Sequence, residues 1–182
     1  MSAIGRKIVY FSNAGPQNSE KVIEAVNERI ANGDIGTVVV ASTSGETGAR
    51  FAKDLKGTNV HVIAVSHEKM TPEYRRKITE YKGKAFDKTH IPFDAKGMDD
   101  VRKSFYALGQ GFKVAVEVIL IASDKGAVKP YENVIGIGGT GNGADTAIIA
   151  RATKSKEIFT EDNTKRLEIR EIIAMPLKKH WW

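Results

Sequence analysis

Cysteine is absent from the 182 residues, which removes disulfides, thiolate metal sites and a cysteine nucleophile together. Histidine occurs four times, at His61, His67, His90 and His180, never at a metal-ligand spacing such as H-E-x-x-H, so no metal site is expected. No apolar run approaches the roughly 20 residues that span a bilayer. The opening MSAIGRKIVYF runs from one short basic stretch straight into a strand-like segment and lacks the apolar core and cleavage site of a secretory signal. The expectation is a cytoplasmic protein with no membrane partner. Internal repeats, low-complexity tracts and linkers are also missing, so residues 1–182 read as one domain.

What is present fits a soluble globular chain, with 41% hydrophobic and 27% charged residues. The net charge is +6, but the basic residues are scattered, with small groups at Arg75-Arg76-Lys77 and Lys178-Lys179-His180. No RNP-like aromatic motif or zinc-finger spacing accompanies them, so nucleic acid is not an expected partner. A solvated basic surface that suits anionic ligands is the simpler account.

The first half alternates strand and helix signals. Lys7 to Phe11 is an apolar, β-branched and aromatic run closed by Ser12-Asn13-Ala14-Gly15-Pro16. From Asn18 the period changes, with Val22, Ile23, Val26 and Ile30 at helical spacing, Asn18 or Ser19 as cap and Asn32-Gly33 as stop. Thr37 to Ala41 is apolar throughout, as expected of a parallel strand covered on both faces. A short helix from Glu46 to Leu55 follows, then a strand from Val60 to Val65 and a helix from Pro72 to Tyr81 with proline in its first turn. Such alternation implies right-handed crossovers and a doubly wound sheet. Lys84 to Thr89 reads as a short strand or a connection, and Asp99-Asp100 starts a helix through Leu108. Phe112 to Ala122 is strand-like by propensity and helix-like by length, and its flanking glycines favour the helix. Val134 to Ile137, Thr146 to Ala152 and Leu167 to Met175 read as strands, with Pro176 closing the last.

Three loops carry candidate chemistry. Gly136-Ile137-Gly138-Gly139-Thr140-Gly141 satisfies G-x-G-x-x-G, the dinucleotide fingerprint, which must leave a strand and open a helix. Here Asn142-Gly143-Ala144-Asp145 continues the loop, and the following residues look as much like a strand as a helix. An acidic residue about 20 positions on falls near Glu161, in a loop-like stretch. Five glycines in eight positions (136, 138, 139, 141 and 143) exceed what a simple turn requires. The loop therefore reads as backbone held close to a ligand in a manner other than that of a dinucleotide fold. Ala41-Ser42-Thr43-Ser44-Gly45-Glu46-Thr47-Gly48 joins a strand to a helix and combines hydroxyls, glycine-freed amides and a helix N-terminus, a set suited to phosphate. Alternatively it is an N-cap, and the charge of Glu46 opposes phosphate unless it points away. Phe11 to Asn18 lies at a strand's carboxyl end, where Asn13 and Asn18 serve either as amide donors to a ligand or as turn and cap residues.

These segments resemble a known family. Thr37 to Arg50 followed by Val60 to Ser66 is similar to the C-terminal α/β domain of pyruvate kinase, in which a Thr/Ser-Gly loop holds the phosphate of an allosteric sugar effector. The whole chain is similar to standalone proteins with that domain's fold. The shared segments are Ile8 to Gly15, Val114 to Ala127, Gly138 to Ala147 and Glu171 to Pro176. The resemblance implies a three-layer α/β/α sandwich with a mostly parallel sheet of order 3-2-1-4-5 and an antiparallel last strand. Val134 to Ile137 would then neighbour the Lys7 to Phe11 strand, and all three loops would meet at one crevice. The standalone group is associated with bound flavin mononucleotide. The barrel that carries kinase chemistry is absent, so kinase activity is not implied.

The functional expectation is a protein that holds a phosphorylated small molecule, with flavin mononucleotide the cofactor the resemblance suggests. The binding residues expected are Asn13, Gly15, Thr43, Ser44, Gly45, Glu46, Thr47, Gly48, Gly138, Gly139, Thr140, Gly141, Asn142, Gly143 and Asp145. A sugar-phosphate-sensing module without chemistry and an NAD-dependent oxidoreductase are the alternatives. Glu117, a carboxylate inside an apolar helix, needs a partner or a raised pKa. Asp124 is the second carboxylate of interest, but no catalytic residue can be named. The Trp181-Trp182 pair docks either on the fold or on another subunit, which leaves a homo-oligomer open.

Overall fold

Residues 3–181 are described by the computed structural model of the chain; Trp182, one of the paired tryptophans, lies outside them. Strand β1 (Val9–Asn13) passes through a 3-10 turn at Pro16–Asn18 into helix α1 (Ser19–Ile30). Then come β2 (Thr37–Ala41), α2 (Glu46–Asp54), β3 (His61–Val65), α3 (Pro72–Glu80) and β4 (Lys84–Phe86). Helices α4 (Asp99–Tyr106) and α5 (Gln110–Asp124) precede β5 (Asn133–Gly138), β6 (Thr146–Arg151) and β7 (Ile169–Lys178). Phe112 to Ala122 is thus helical; continuous burial, not strand pairing, explains its β-branched composition.

The strands form one sheet of order β1-β7-β6-β5-β2-β3-β4. Pairing is parallel except on the two sides of β6, which alone runs against the others. Counted from β2, the order is 3-2-1-4-5 with the fifth strand antiparallel. The count does not start at β1, however. Val38, Val39 and Val40 of β2 pair with Ile135, Gly136 and Ile137 of β5, whereas β1 lies at the far edge, with Val9 opposite Ala174 and Phe11 opposite Pro176. The expectation that Val134 to Ile137 neighbours the first strand is therefore corrected. β1 is short and only half-buried, which suits an edge position better than the fully buried centre that Val38 to Val40 fill.

Alternation along the strands sorts the side chains between the two faces. Val38 and Val40 pack with Val22 and Val26 of α1 and Phe51 of α2. Val39 packs on the other side with Phe112, Val116 and Ile119 of α5. Ile78 of α3 joins Ala49 and Ala64 beside the first cluster. Helices α1 to α3 thus cover one face and α5 the other, giving three layers. β7 continues through Pro176, which was expected to close it. The β6 ladder ends at Ala174, so at Pro176 the strand has only β1 beside it and no central-strand bond is lost.

Candidate functional site

The crossover from β2 through α2 lies on one face, and α5, which leads into β5, lies on the other. Neighbouring strands β2 and β5 therefore form the switch point of the sheet, beyond whose carboxyl ends doubly wound folds bind ligands. A crevice of about 560 Å³ opens there. Thr43, Ser44, Glu46 and Thr47 line it from the loop after β2, and Gly139, Gly141, Asn142 and Gly143 from the loop after β5. Gln110, Lys113, Val114, Glu117, Val118 and Ile121 of α5, with Ala41, Ser42, Val65, Ser66, His67, Ile91 and Asp94, complete the walls.

The loop after β2 is held by its carbonyls. The Ser42 carbonyl accepts from the Gly45 amide and the Ser44 carbonyl from the Thr71 amide, while the Thr43 carbonyl accepts from Ser66 Oγ at 3.1 Å. Gly45 takes φ +97° to turn the chain into α2. The amides of Thr43, Ser44 and Thr47 have no acceptor among the described residues. The N-cap position falls on Gly45, which has no side chain to cap the helix. Ser42, deeper and buried, accepts from the Gly48 amide at 2.9 Å, and Ser44 Oγ only weakly from the Glu46 amide at 3.3 Å. Glu46 is exposed on the first turn of α2, where solvent screens its charge.

The loop after β5 is built differently from the dinucleotide fingerprint. It enters β6, a strand, so no helix N-terminus follows its glycines. A Cβ on Gly138 would lie 2.0 Å from the Gly111 carbonyl oxygen, and one on Gly136 would lie 2.4 Å from that of Ala115. These two glycines let α5 cross close over β5. Gly141 and Gly143 have φ of +83° and +80° and make the turn itself.

Several expected site residues support the crevice from outside its lining. Asp145 is fully buried, accepting from the Gly15 amide at 2.9 Å, the Thr140 amide at 3.1 Å and Thr146 Oγ1 at 2.8 Å. The Asn13 carbonyl accepts from the Asn18 side chain. The β1–α1 loop thus lies against the back of the glycine loop, not between it and Thr43. A Cβ on Gly48 would meet that of Ala64 at 2.5 Å, so Gly48 serves the packing of α2 on β3.

Sequence reasoning missed Lys113 and Gln110 as lining residues and placed Glu117 only as a carboxylate of interest. Lys113 and Glu117 form an i,i+4 ion pair at 2.8 Å, with side chains 8% and 6% exposed. Burial pushes the Glu117 carboxyl above the ordinary range, and the Lys113 charge and hydrogen bond oppose that shift. The readable signal is a Lys-x-x-x-Glu spacing in an otherwise apolar helix. Asp124 is far simpler in role: it accepts from the Ser155 amide and hydroxyl and bonds His90 Nε2 at 3.0 Å. The carboxylate sits between serine and histidine, so the three do not form a nucleophile activated by a base. Among the described residues no group of three or more His, Asp or Glu is placed to hold a metal ion, and no helix is long and apolar enough to cross a membrane.

Fold and site together define an open, doubly wound α/β protein with an amide- and hydroxyl-lined crevice at its switch point. Residues 20–150 match the family model described as pyruvate kinase, alpha/beta domain, and the chain belongs to that family. The match runs from α1 through nearly all of β6; β1 and β7 lie outside it.

Proposed function

We propose that this protein is a small-molecule-binding protein that holds a phosphorylated ligand in the switch-point crevice. The observation that carries the reading is the set of open amides at Thr43, Ser44 and Thr47, beside their own hydroxyls and at the positive end of α2. A phosphate placed there meets donors whose carbonyls are already fixed, so little ordering opposes binding. Flavin mononucleotide is the ligand favoured by the resemblance of the full chain, and the residues present fit it. Val65, Ile91, Val114, Val118 and Ile121 give an apolar bed for a flat ring. When bound, a flavin supplies the redox chemistry, while this chain's residues orient it and restrict its contact with water.

The test is the visible spectrum of the purified protein before and after reconstitution with flavin mononucleotide. A bound two-band flavin spectrum supports the flavoprotein reading. A colourless protein that ignores added flavin but binds sugar phosphates would leave the sensing module in its place. In either case the double variant Thr43→Ala/Ser44→Ala should weaken phosphate-ester binding by about tenfold, through the loss of two hydroxyl donors. Unchanged affinity would remove the two hydroxyls, though not the amides that alanine keeps, from the phosphate site.

A further inference from the structure

Helix α5 is apolar and buried over most of its length. Its polar residues Gln110, Lys113 and Glu117 line the crevice, at spacings that put them on one face, whereas Ser123 and Asp124 at its far end do not. A buried ion pair adds little stability over apolar residues of the same volume, so packing alone does not account for this stripe. Among the described residues, the buried side-chain polar atoms without a hydrogen-bond partner are Gln110 Oε1 and Glu117 Oε1. Such atoms are rare and costly in folded proteins, and both lie on this wall. The Phe93 amide is near enough to Glu117 to favour its charged form weakly, but it does not meet hydrogen-bond geometry with the carboxylate.

We propose that this face of α5 is a second subsite, in which Glu117 accepts a hydrogen bond from a neutral N–H or O–H group at the non-phosphate end of the ligand and the Gln110 amide bonds the same end. The inference rests on the phosphate reading above and names the chemistry of the ligand's other end. The orphan atom of Glu117 is a carboxylate oxygen, so its missing partner is a donor, while the Gln110 amide can turn either its oxygen or its N–H to a ligand. Lys113 balances the charge of Glu117, and Asp94, the other carboxylate acting on Glu117, is paired with Arg102 at 2.8 Å, so an added ammonium would leave a net charge in a buried site. A neutral donor adds none. Glu117 Oε1 and Gln110 Oε1 are both shielded from solvent; the last torsion of a carboxyl or amide side chain is soft, and the subsite requires each side chain to turn toward the crevice when the ligand binds. The Thr43 to Thr47 loop and α5 then bind opposite ends of one molecule. A flavin ring N–H and a sugar hydroxyl both satisfy this chemistry.

The test is calorimetric titration with inorganic phosphate, flavin mononucleotide and glucose 6-phosphate. The native protein should bind one of the two esters more tightly than inorganic phosphate, and which one identifies the donor as ring N–H or sugar hydroxyl. Glu117→Gln turns the amide oxygen to Lys113 and leaves an N–H where the orphan acceptor was. It should weaken the preferred ester about tenfold or more while inorganic phosphate binding stays unchanged. The pair variant Lys113→Met/Glu117→Met, which leaves no unpaired charge, should behave likewise, with urea midpoints confirming that both variants fold. Esters binding no more tightly than inorganic phosphate, or equal ester affinity in the native protein and Glu117→Gln, would overturn the subsite and leave the phosphate reading standing. Failure of the native protein to bind any of the three probes would overturn that reading, and this inference with it.

Discussion

Gly138 and Gly141 belong to one motif and answer different demands. At Gly138 a side chain would strike the Gly111 backbone at 2.0 Å, so Gly138→Ala must lift α5 from the sheet and should cost about 3 kcal/mol. At Gly141 there is open space but φ is +83°, and Gly141→Ala should cost about 1 kcal/mol in backbone strain. Urea midpoints of the two variants give the order; equal losses would contradict the close approach of helix and sheet. The sequence shows that these positions are glycine but not which pressure made each so, because a crossing helix leaves no mark on the strand beneath it. Asp145 was equally opaque. Its carboxylate reads as a ligand contact until the Gly15 and Thr140 amides are seen to consume it. At the opposite end of the sheet, Glu171 is held below its ordinary value of 4.5 first by its hydrogen bonds with Arg29. A depressed folded pKa adds stability above the unfolded value and loses it as pH falls through the folded one. Glu171→Gln should therefore lose about 2 kcal/mol at pH 7, and its difference from the native protein should shrink below about pH 4.5 in denaturation measured across the acid range.

Among the elements, α2 begins on a hydroxyl that lies before the helix. Ser42→Ala removes the acceptor of the Gly48 amide in a buried setting and should destabilise the protein by about 1 kcal/mol, read from the denaturant midpoint. If α2 were capped by Ser44 instead, the loss would follow Ser44→Ala. The helices and central strands were legible because their apolar period is strong: Val22, Val26 and Ile30 on α1, and an unbroken run in β2. What was not legible was which strand lies beside which. Val9 to Phe11 and Val38 to Val40 carry similar apolar residues, and only the burial they find in the fold separates an edge strand from a central one. Likewise the Thr43 and Gly139–Gly143 halves of the crevice were visible as loops. Lys113 and Gln110 were not, because they face it from the opposite layer of the fold.

At the scale of the whole molecule, the five-strand family core β4-β3-β2-β5-β6 carries the crevice, and the β7–β1 pair extends the sheet beyond it. Deleting residues 1–14 removes the half-buried Val9 and Phe11 and should lower stability by about 2 to 3 kcal/mol, while titration with phosphate ester stays within about twofold of the full chain. A complete loss of binding would make β1 part of the site. The pairing of β1 with β7 also sets an order in time. Val9 leaves the ribosome early, but its partner Ala174 is made only after nearly all of the intervening chain. At roughly 5–20 residues per second, the first strand waits on the order of ten seconds with its backbone groups unpaired, and the sheet's edge is closed only once β7 has emerged.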